Sequence, residues 1–323
     1  MADSKKLLLI DGNNLFHRAY HALPPLTDKT GENANAVFGF SNMILKAIDE
    51  VKPTYIACAF DTKAPTFRHV EFEAYKAQRV APPPDLYPQL PKVKAVLDAF
   101  GIKYFEMAGY EADDLLASLA SKCQMSNVKC QIVILSGDRD LLQIVDGDIK
   151  VQAPGWNLPA GRQGIKETTL YGSAEVKEKY GVSPEQMVDW KAMVGDPSDN
   201  VPGIAGIGPK TASELIQKYG NLENVFEHLD EIGVKVREKL EAGRSNAIAA
   251  KKLVALDTKV DLRFTIYDLR FEPDWEKVIA QYEGLGFRSI VSKIKGTKVS
   301  DVSQVSEVSN VKNKVRSNQL ELI

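Results

Sequence analysis

The chain has 323 residues, of which 44% are hydrophobic and 26% are charged, and its formal net charge is −2. This length allows one large domain or two of ordinary size, and the composition is typical of a soluble globular protein. No apolar run approaches the roughly 18 residues that a membrane-spanning helix needs. A strand is predicted directly after the N-terminus, which leaves no room for a signal peptide, so we expect a cytoplasmic protein without membrane contact.

Short apolar runs alternate with helical stretches along the first half of the chain. We predict strands at 6–10, 55–60, 102–106, 131–135 and 149–153, and helices at about 35–50, 86–100 and 111–122. Short continuous apolar runs between helices are typical of buried strands in a parallel sheet. The sequence therefore predicts an α/β fold with a mainly parallel central sheet and helices on both faces.

Beyond about residue 175 the chain is predicted to form short helices separated by glycine and proline. We expect an α/β core over residues 1–174, a C-terminal helical region over 175–295 and a flexible tail over 296–323. A weak amphipathic helix is the alternative for the tail, since valines recur there every three or four residues. The turn-rich segment Trp156–Gly164 is predicted to be a surface insertion, to which we assign no role.

Three of the predicted strands run into an aspartate, namely Asp11, Asp61 and Asp138, and Asp140 follows two residues later. Ligands of parallel sheets bind beyond the carboxyl ends of the strands, so these side chains are expected at one edge. Carboxylates gathered there repel one another unless a cation joins them. Hard oxygen ligands are typical of magnesium or manganese sites, which predicts a metal-dependent enzyme acting on a phosphate compound.

A second acidic group opens the predicted helix at 111–122. Glu111, Asp113 and Asp114 lie within four residues of one another. Acids in a first helical turn also favour the positive end of the helix dipole, which is the ordinary structural explanation. Three acids exceed what capping needs, so we interpret them as further metal ligands.

The segment Phe67–Arg79 interleaves basic residues with aromatic rings. Phe72, Tyr75, Lys76 and Arg79 have three- and four-residue spacings, which predicts that they share one helical face. Cations and rings on one face are typical of proteins that grip single-stranded or unpaired nucleic acid. An amphipathic surface helix is the alternative.

Two glycine-rich turns lead into an apolar helix, which predicts a helix–hairpin–helix at 203–216. Gly203, Gly206 and Gly208 would let backbone N–H groups approach a phosphate, and Lys210 adds positive charge. The spacing differs from GxxxxGK[ST], which excludes a P-loop. A purely structural turn is the alternative to a clamp on the DNA backbone.

The small net charge does not exclude a nucleic-acid substrate. Once nine candidate site carboxylates are set aside, the net charge of the remaining chain moves from −2 to +7. A mildly basic body around an acidic pocket filled with metal ions is compatible with a phosphodiester substrate. The nine acids are Asp11, Asp61, Glu111, Asp113, Asp114, Asp138, Asp140, Asp196 and Asp199.

Together these residues resemble the 5′-nuclease family, which includes flap endonucleases and the 5′→3′ exonuclease domain of bacterial DNA polymerase I. The similar stretches occur in order over roughly residues 5–290. They are LIDGNNLFHRAYHAL from Leu9, FDTKAPTFRH from Phe60, YKAQR from Tyr75, GYEADDLLA from Gly109, SGDRDLLQ from Ser136 and GDPSDNVPGIAGIGPKTA from Gly195.

The resemblance implies a PIN-like 5′-nuclease core that hydrolyses DNA phosphodiesters as a 5′→3′ exonuclease or flap endonuclease. It implies that the nine acids hold two Mg²⁺ or Mn²⁺ ions, of the order of 4 Å apart, directly or through water. The implied catalytic residues are Asp11, Asp138, Lys76 and Arg79, the last two in a helical gateway at about 62–90. The implied DNA-binding residues are Arg68, Tyr75, Lys76, Arg79, Gly203, Gly206, Gly208, Lys210 and Thr211.

The resemblance also implies partners and a setting. We expect DNA with 5′ ends, flaps or nicks, including RNA-primed ends, a monovalent cation such as K⁺ at the hairpin, and a monomer associated with the bacterial nucleoid in Okazaki-fragment processing and repair. The proofreading and polymerase domains of a full polymerase I do not follow in this sequence, so we expect a stand-alone nuclease or a fragment. The competing functions are a DNA-junction binding protein with weak catalysis and a PIN-type RNase.

The last five residues, Gln319, Leu320, Glu321, Leu322 and Ile323, resemble the peptide by which bacterial proteins bind the sliding clamp. A short peptide with apolar anchors can dock in a groove, while its linker raises the local concentration of the attached enzyme. A chance hydrophobic terminus is the alternative.

Overall fold

The computed structural model of the protein describes residues 5–154 and 168–296. At its centre lies a six-stranded sheet in which the first five strands run parallel and the last is antiparallel at one edge. The strands are β1 (Lys5–Asp11), β2 (Tyr55–Ala59), β3 (Lys103–Phe105), β4 (Cys130–Leu135), β5 (Ile149–Ala153) and β6 (Thr169–Tyr171), in the spatial order β3-β2-β1-β4-β5-β6. Because β1 pairs with β2 and β4, its last residue ends in the middle of the carboxyl edge.

Helices cover the sheet, and the chain after β6 is mostly helical. The helices are α1 (Gly12–Ala22), α2 (Asn35–Val51), α3 (Phe67–Glu71), α4 (Leu90–Phe100), α5 (Ala112–Gln124), α6 (Ser173–Tyr180), α7 (Met187–Val194), α8 (Pro209–Tyr219), α9 (Leu222–Glu227), α10 (Val234–Val254) and α11 (Trp275–Leu285), followed by a helical segment at 288–296. Helix α1 and strand β6 were not predicted, because α1 begins in the polar sequence GNN and β6 has only three residues.

The alternation of side chains along β1 divides the core into two layers. Leu7 and Leu9 pack on one face with α5, whereas Leu8 and Ile10 pack on the other with α1, α2, α4 and α11. All four side chains are fully buried, because successive residues of a strand point to opposite faces and helices cover both. The predicted α/β fold with helices on both faces is confirmed.

The C-terminal helical region shares the core layer of α5. Ile204, Leu240 and Leu253 belong to the same buried cluster as Leu115 of α5. Helix α7 packs on α10 and α8, and also contacts the 3₁₀ turn at Asp140–Ile144 that follows β4. The region is therefore fixed close to the carboxyl ends of the strands, where side chains of α7 reach the strand-end acids.

Helices α7 and α8 flank the glycine-rich hairpin, so the helix–hairpin–helix begins at Met187, well before the predicted range of 203–216. Between them the chain folds back through two backbone hydrogen bonds of 2.9 Å that join Asp196 and Val201. A Cβ on Gly203 would lie 2.4 Å from the backbone nitrogen of Gly195, so only glycine fits this close approach. Helix α8 begins at Pro209, which is a favoured first helical residue.

The helical face predicted for Phe72, Tyr75, Lys76 and Arg79 is wrong. Helix α3 ends at Glu71 and residues 73–78 form turns, with the Lys76 backbone in the left-handed region at φ +55°. The four residues expected on one helical face therefore do not share one. The Lys76 N–H donates to the Asp199 carbonyl at 2.9 Å, a contact with a distant segment that periodicity does not reveal.

Three parts of the sequence prediction lie outside the described residues. They are the Trp156–Gly164 insertion, the tail beyond residue 296 and the terminal peptide Gln319–Ile323. Within residues 5–154 and 168–296, no helix combines the length and the apolar character needed to cross a membrane.

Replacing Gly203 by alanine should destabilise the hairpin, because the new Cβ would meet the backbone of Val194 and Gly195. Overpacking of this kind costs about 1–3 kcal/mol, which should lower the thermal unfolding midpoint measured by calorimetry. Gly208→Ala is the control: there a Cβ meets no atom within 4 Å, so the midpoint should shift much less. Equal midpoints for the wild type and Gly203→Ala would contradict the packing argument.

Candidate functional site

The carboxyl ends of the strands open into a cleft of about 890 Å³. Asp11 ends β1, Asp61 follows β2 by two residues, and Asp138 follows β4 by three. Asp113 joins them from the first turn of α5, and Glu111 lies just before that helix. All five acids line the cleft. The structure thus brings together the strand-end aspartates and two acids of the second group.

Hydrogen-bond donors of the fold hold these carboxylates in place. Asp11 is only 3% exposed, and its two oxygens accept the Asn14 N–H at 2.9 Å and the Ser136 hydroxyl at 2.5 Å. The same Ser136 oxygen accepts the Asp138 N–H at 3.0 Å, so one hydroxyl couples the ends of β1 and β4. Asp61 accepts the first backbone N–H of α5 at 2.7 Å.

Burial and mutual repulsion raise the pKa values of these acids. Burial raises the pKa of Asp11 to about 7, and the neighbouring carboxylates of Asp138 and Asp61 contribute to the shift. Burial and the surrounding acids raise the pKa of Asp113 well above its ordinary value. The pKa values of Asp61 and Asp138 are also raised, first by burial. Clustered carboxylates that resist ionisation are a suitable oxygen donor set for a divalent ion, which would favour their charged forms.

A second acidic group consists of Asp140, Asp196 and Asp199, each of which offers a carboxylate oxygen within 4.8 Å of the others. The Lys191 ammonium of α7 donates to Asp140 and, at 2.7 Å, to Asp196. Burial acts to raise the pKa of Asp196, but the charge and hydrogen bond of Lys191 prevail and lower it to about 2. This second group therefore already has a cation of the chain beside it.

The gateway residues Lys76 and Arg79 line the same cleft. The Lys76 ammonium donates to Glu111 at 2.6 Å and lies 3.6 Å from an Asp199 oxygen. The Arg79 guanidinium donates to the other Asp199 oxygen at 2.7 Å. Glu111 and Asp199 thus orient both cations at the rim of the acidic centre.

The hairpin residues lie outside the lining of this cleft. Lys210 is 91% exposed, and its nearest carboxylate oxygen, from Glu214, is 4.0 Å away. Gly208 is the N-cap of α8 and Gly206 has a φ of +78°. The start of α8 therefore presents its first backbone N–H groups and an exposed ammonium, only loosely paired with Glu214, to solvent, as a surface for a phosphate backbone would require.

Comparison with known proteins places this geometry in a family. The sequence profile described as the N-terminal resolvase-like domain of 5′-3′ exonucleases matches residues 6–181, and the profile of their C-terminal SAM fold matches residues 182–277. The chain belongs to the 5′-3′ exonuclease family. The sequence-based resemblance is therefore confirmed.

Relatives within this family include bacterial polymerases. The chain is 37% identical over 296 residues to DNA polymerase I of Bacillus subtilis and 40% identical over 294 residues to that of Caldicellulosiruptor bescii. These alignments cover 91% and 90% of this chain but 33% of each polymerase. The chain thus spans about one third of the length of these curated relatives.

Solved structures of 5′ nucleases share the fold. The 5′-exonuclease of bacteriophage T5 with bound zinc ions gives a TM-score of 0.59 at 20% identity, covering 92% of this chain and 99% of that one. The T5 flap endonuclease in complex with DNA and metal ions gives 0.61 at 19%, covering 92% and 98%. The catalytic core of Rad2 with a DNA substrate gives 0.57 at 17%, covering 87% and 88%. The predicted PIN-like nuclease core with a C-terminal helical region is confirmed as the fold.

Two residues predicted for this family's site have other roles in the structure. Asp114, expected as a metal ligand, is fully buried, and both of its oxygens accept from the Arg68 guanidinium at 2.6 and 2.7 Å. Arg68, expected to bind DNA, is 2% exposed and also donates to the carbonyls of Leu253 and Ala255. In this structure the buried pair instead joins the gateway and α5 to the end of α10, so neither side chain is placed to contact a metal ion or DNA.

Tyr75 also departs from its prediction. It is 3% exposed, so it does not present a ring on which a base can stack. Its hydroxyl lies 3.0 Å from a Glu111 oxygen and 3.1 Å from an Asp199 oxygen, close enough for a hydrogen bond to either. The predicted DNA contact is therefore replaced by a positioning role for the two acids that orient Lys76 and Arg79.

Sequence reasoning missed several polar residues of the cleft. Asn13 accepts the Asp61 N–H at 3.1 Å and Asn14 accepts the Gly137 N–H at 2.9 Å, so both brace loops that carry acids. Their position directly after Asp11 was an available signal, as was that of Ser136 before Asp138. Lys191 gave no comparable signal, because its approach to the strand ends depends on how α7 packs.

The raised pKa of Asp11 predicts how the stability of the metal-free protein depends on pH. The folded-state pKa of about 7 lies above the ordinary value of 3.8, so the native state holds this proton more tightly than the unfolded state. The free energy of unfolding should therefore fall as the pH rises from 3.8 to about 7. In EDTA, Asp11→Asn should show a weaker fall of the thermal midpoint over this range, and Asp98→Asn, at an exposed site, should behave like the wild type. Identical pH profiles for all three proteins would contradict the shift.

The buried pair predicts a stability effect that a metal ligand would not give. Asp114→Ala removes the carboxylate that accepts two hydrogen bonds from the buried Arg68 guanidinium and leaves it only a Glu111 oxygen 3.5 Å away. We expect a loss of stability toward the lower end of the about 3–5 kcal/mol that breaking a buried ion pair costs. Urea unfolding of the metal-free protein should show this loss. Asp49→Ala is the control, since its ion pair with Lys52 is exposed and contributes at most about 1 kcal/mol. Unchanged metal-free stability of Asp114→Ala would restore the interpretation of Asp114 as a metal ligand.

Proposed function

We propose that this chain is a structure-specific 5′ nuclease that hydrolyses DNA phosphodiesters as a 5′→3′ exonuclease and flap endonuclease, with Mg²⁺ as its metal. The observation that carries the proposal is the presence, in one cleft, of clustered acids with raised pKa values beside the ordered cations Lys76 and Arg79. The first set fits divalent ions and the second fits a phosphate.

The carboxylates would hold two ions, directly or through water. Asp11, Asp61, Asp113 and Asp138 suit one ion, and the group of Asp140, Asp196 and Asp199 suits the other. Such ions supply an activated water and neutralise the charge of the phosphate. Lys191 shares Asp140 and Asp196 with the second position, so it reduces the negative charge there and weakens the hold on an ion.

Lys76 and Arg79 would bind the scissile phosphate and stabilise the negative charge that grows on it during hydrolysis. Preorganised donors are effective in this role because they need no reorganisation during the reaction. Here the Lys76 ammonium is held by Glu111 and its backbone N–H by Asp199. Asp199 also fixes Arg79, so one acid positions both cations.

The hairpin would bind the duplex at a distance from the cleft. The N-terminal N–H groups of α8 and the exposed Lys210 can meet phosphates without reading sequence. A K⁺ ion at the hairpin is part of this proposal, and Lys239 affects how such an ion could bind. The Lys239 ammonium donates to the Gly206 carbonyl at 3.1 Å, so an ion that used this oxygen as a ligand would compete with Lys239.

The competing functions fit the same residues less well. For a DNA-junction binding protein without catalysis, the acids of the cleft would only weaken DNA binding, since they repel phosphates. A PIN-type RNase would share the acidic edge but would not need the hairpin or the ordered gateway.

Cleavage of 5′-labelled DNA tests the proposal directly. Flap, nicked and RNA-primed duplexes are incubated with the protein in Mg²⁺ and in EDTA, and the product lengths separate flap cutting from stepwise degradation. We expect cleavage in Mg²⁺ only. Binding of flap DNA without cleavage under any metal condition would favour the junction-binding function, and preference for single-stranded RNA would favour the RNase.

Asp138→Ala should abolish cleavage but preserve binding of flap DNA. Asp138 lies at the centre of the acidic set, and loss of one preorganised electrostatic group in an active site typically costs about 10²–10³-fold in rate. Single-turnover cleavage and fluorescence anisotropy in Ca²⁺ measure the two properties separately. Asp98→Ala, which removes an exposed acid far along α4, should cleave like the wild type. Normal turnover of Asp138→Ala in Mg²⁺ would overturn its assignment.

We further propose that the terminal peptide Gln319–Ile323 binds a bacterial sliding clamp. Its sequence supports this through the spacing of Gln319, Leu320 and Leu322. Deleting residues 319–323 should abolish capture by an immobilised clamp and leave cleavage of free DNA unchanged. Undiminished capture of the truncated chain would refute the proposal.

A further inference from the structure

A second cavity, which we call the side chamber, adjoins the acidic cleft. It has a volume of about 150 Å³ and shares Arg18, Gly137 and Asp138 with the lining of the cleft. The ends of β4 and β5 form one part of its lining, and Lys179 and Tyr180 of α6 form another. The chamber is therefore continuous with the place where the scissile phosphate would lie.

Three cations line the side chamber, and its only acid among the described residues is Asp138. Arg18 is half-buried, and its guanidinium donates to the Pro154 carbonyl at 2.8 Å. Burial lowers the pKa of Arg18. Neither Arg18 nor Arg139 forms an ion pair within residues 5–154 and 168–296. A half-buried guanidinium without a carboxylate is costly, and a bound anion would offset that cost.

The third cation is held in place by a tyrosine. The Lys179 ammonium donates to the Tyr171 hydroxyl at 2.6 Å and lies 4.7 Å from the centre of the Tyr171 ring. This contact restricts the lysine but leaves its charge without a carboxylate partner in the described chain. The neighbouring Tyr180 hydroxyl is buried and has no hydrogen-bond partner in the described part of the structure. Ordered cations and an unused O–H donor together favour an anion with several acceptor oxygens.

We propose that the side chamber binds a backbone phosphate of the DNA whose scissile phosphate occupies the cleft. The inference rests on the proposed nuclease function and adds a second position at which the protein binds the DNA backbone. Lys76 and Arg79 line the cleft but not the chamber, whereas Arg139 and Lys179 line the chamber but not the cleft. The two sets of cations therefore contact different phosphates, and their spacing sets which phosphodiester reaches the acids.

Methylphosphonate scanning tests this assignment. A series of flap DNAs, each with one neutral methylphosphonate in place of a phosphate, is titrated with the wild type, Lys179→Ala and Lys177→Ala in Ca²⁺. Lys177 is the matched control, because it is an exposed lysine of α6 outside the chamber. We expect one position at which neutralisation weakens binding by the wild type and by Lys177→Ala but has a clearly smaller effect on Lys179→Ala, whose chamber retains only Arg18 and Arg139. Lys179→Ala should also reduce the slope of log affinity against log salt by about 0.9.

The experiment distinguishes a failure of the proposed nuclease function from a failure of phosphate binding in the side chamber. Failure of the wild type to bind or cleave flap DNA would overturn the proposed function itself. If the wild type cleaves but Lys179→Ala matches it in salt slope and at every methylphosphonate position, the side chamber binds no phosphate. Equal losses in Lys177→Ala and Lys179→Ala, spread over all positions, would indicate diffuse surface charge and would also overturn the proposal.

Discussion

Repulsion among the closely spaced carboxylates at the carboxyl edge of the sheet governs the arrangement of the surrounding residues. β1, β2 and β4 direct Asp11, Asp61 and Asp138 to one place, and α5 adds Asp113. Burial raises the pKa of each of these groups. Without cations, the fold can keep them together only as partly protonated acids, which makes the edge dependent on pH and on divalent ions.

The two acidic groups meet this constraint differently. In the first, hydrogen bonds from Ser136 and backbone N–H groups hold the carboxylates, and protonation relieves their repulsion. In the second, the Lys191 ammonium lies between Asp140 and Asp196 and keeps the pKa of Asp196 low. The first group should therefore release protons when an ion binds, whereas Asp196 of the second group has a low pKa beside Lys191 and stays charged.

The acids of the gateway also have cations of the chain beside them. Glu111 and Asp199 are acids of the site, yet their immediate partners are Lys76, Arg79 and the Tyr75 hydroxyl. Glu111 and Asp199 position the phosphate-binding cations, and these contacts leave the two acids less available to bind metal ions. Deeper in the protein, Arg68 and Asp114 fix the gateway to α5 and to the end of α10. The second acidic group, the gateway acids and Asp114 thus each have an ordered opposite charge beside them, which the first acidic group lacks.

Sequence analysis predicted the parts of the site that follow from local patterns. Asp11, Asp61 and Asp138 follow apolar runs, so the parallel sheet alone brings them together. The start of α8 followed from glycine and proline positions. The pairing of Arg68 with Asp114 was not predictable, because a sequence shows charges but not which of them are buried together. The turn at Lys76 depends on a contact with Asp199, more than a hundred residues away. The position of Lys191 depends on how α7 packs against the end of β4. The periodicity of a sequence does not reveal contacts of either kind.

We propose above that the acidic edge of the sheet binds two divalent ions. Anomalous X-ray diffraction from crystals of the wild-type protein soaked in Mn²⁺ tests it most directly, because the peaks locate the ions without reference to activity. We expect one anomalous peak among Asp11, Asp61, Asp113 and Asp138 and a second peak beside Asp140, Asp196 and Asp199. No anomalous peak within coordination distance of these carboxylates at saturating Mn²⁺ would contradict it.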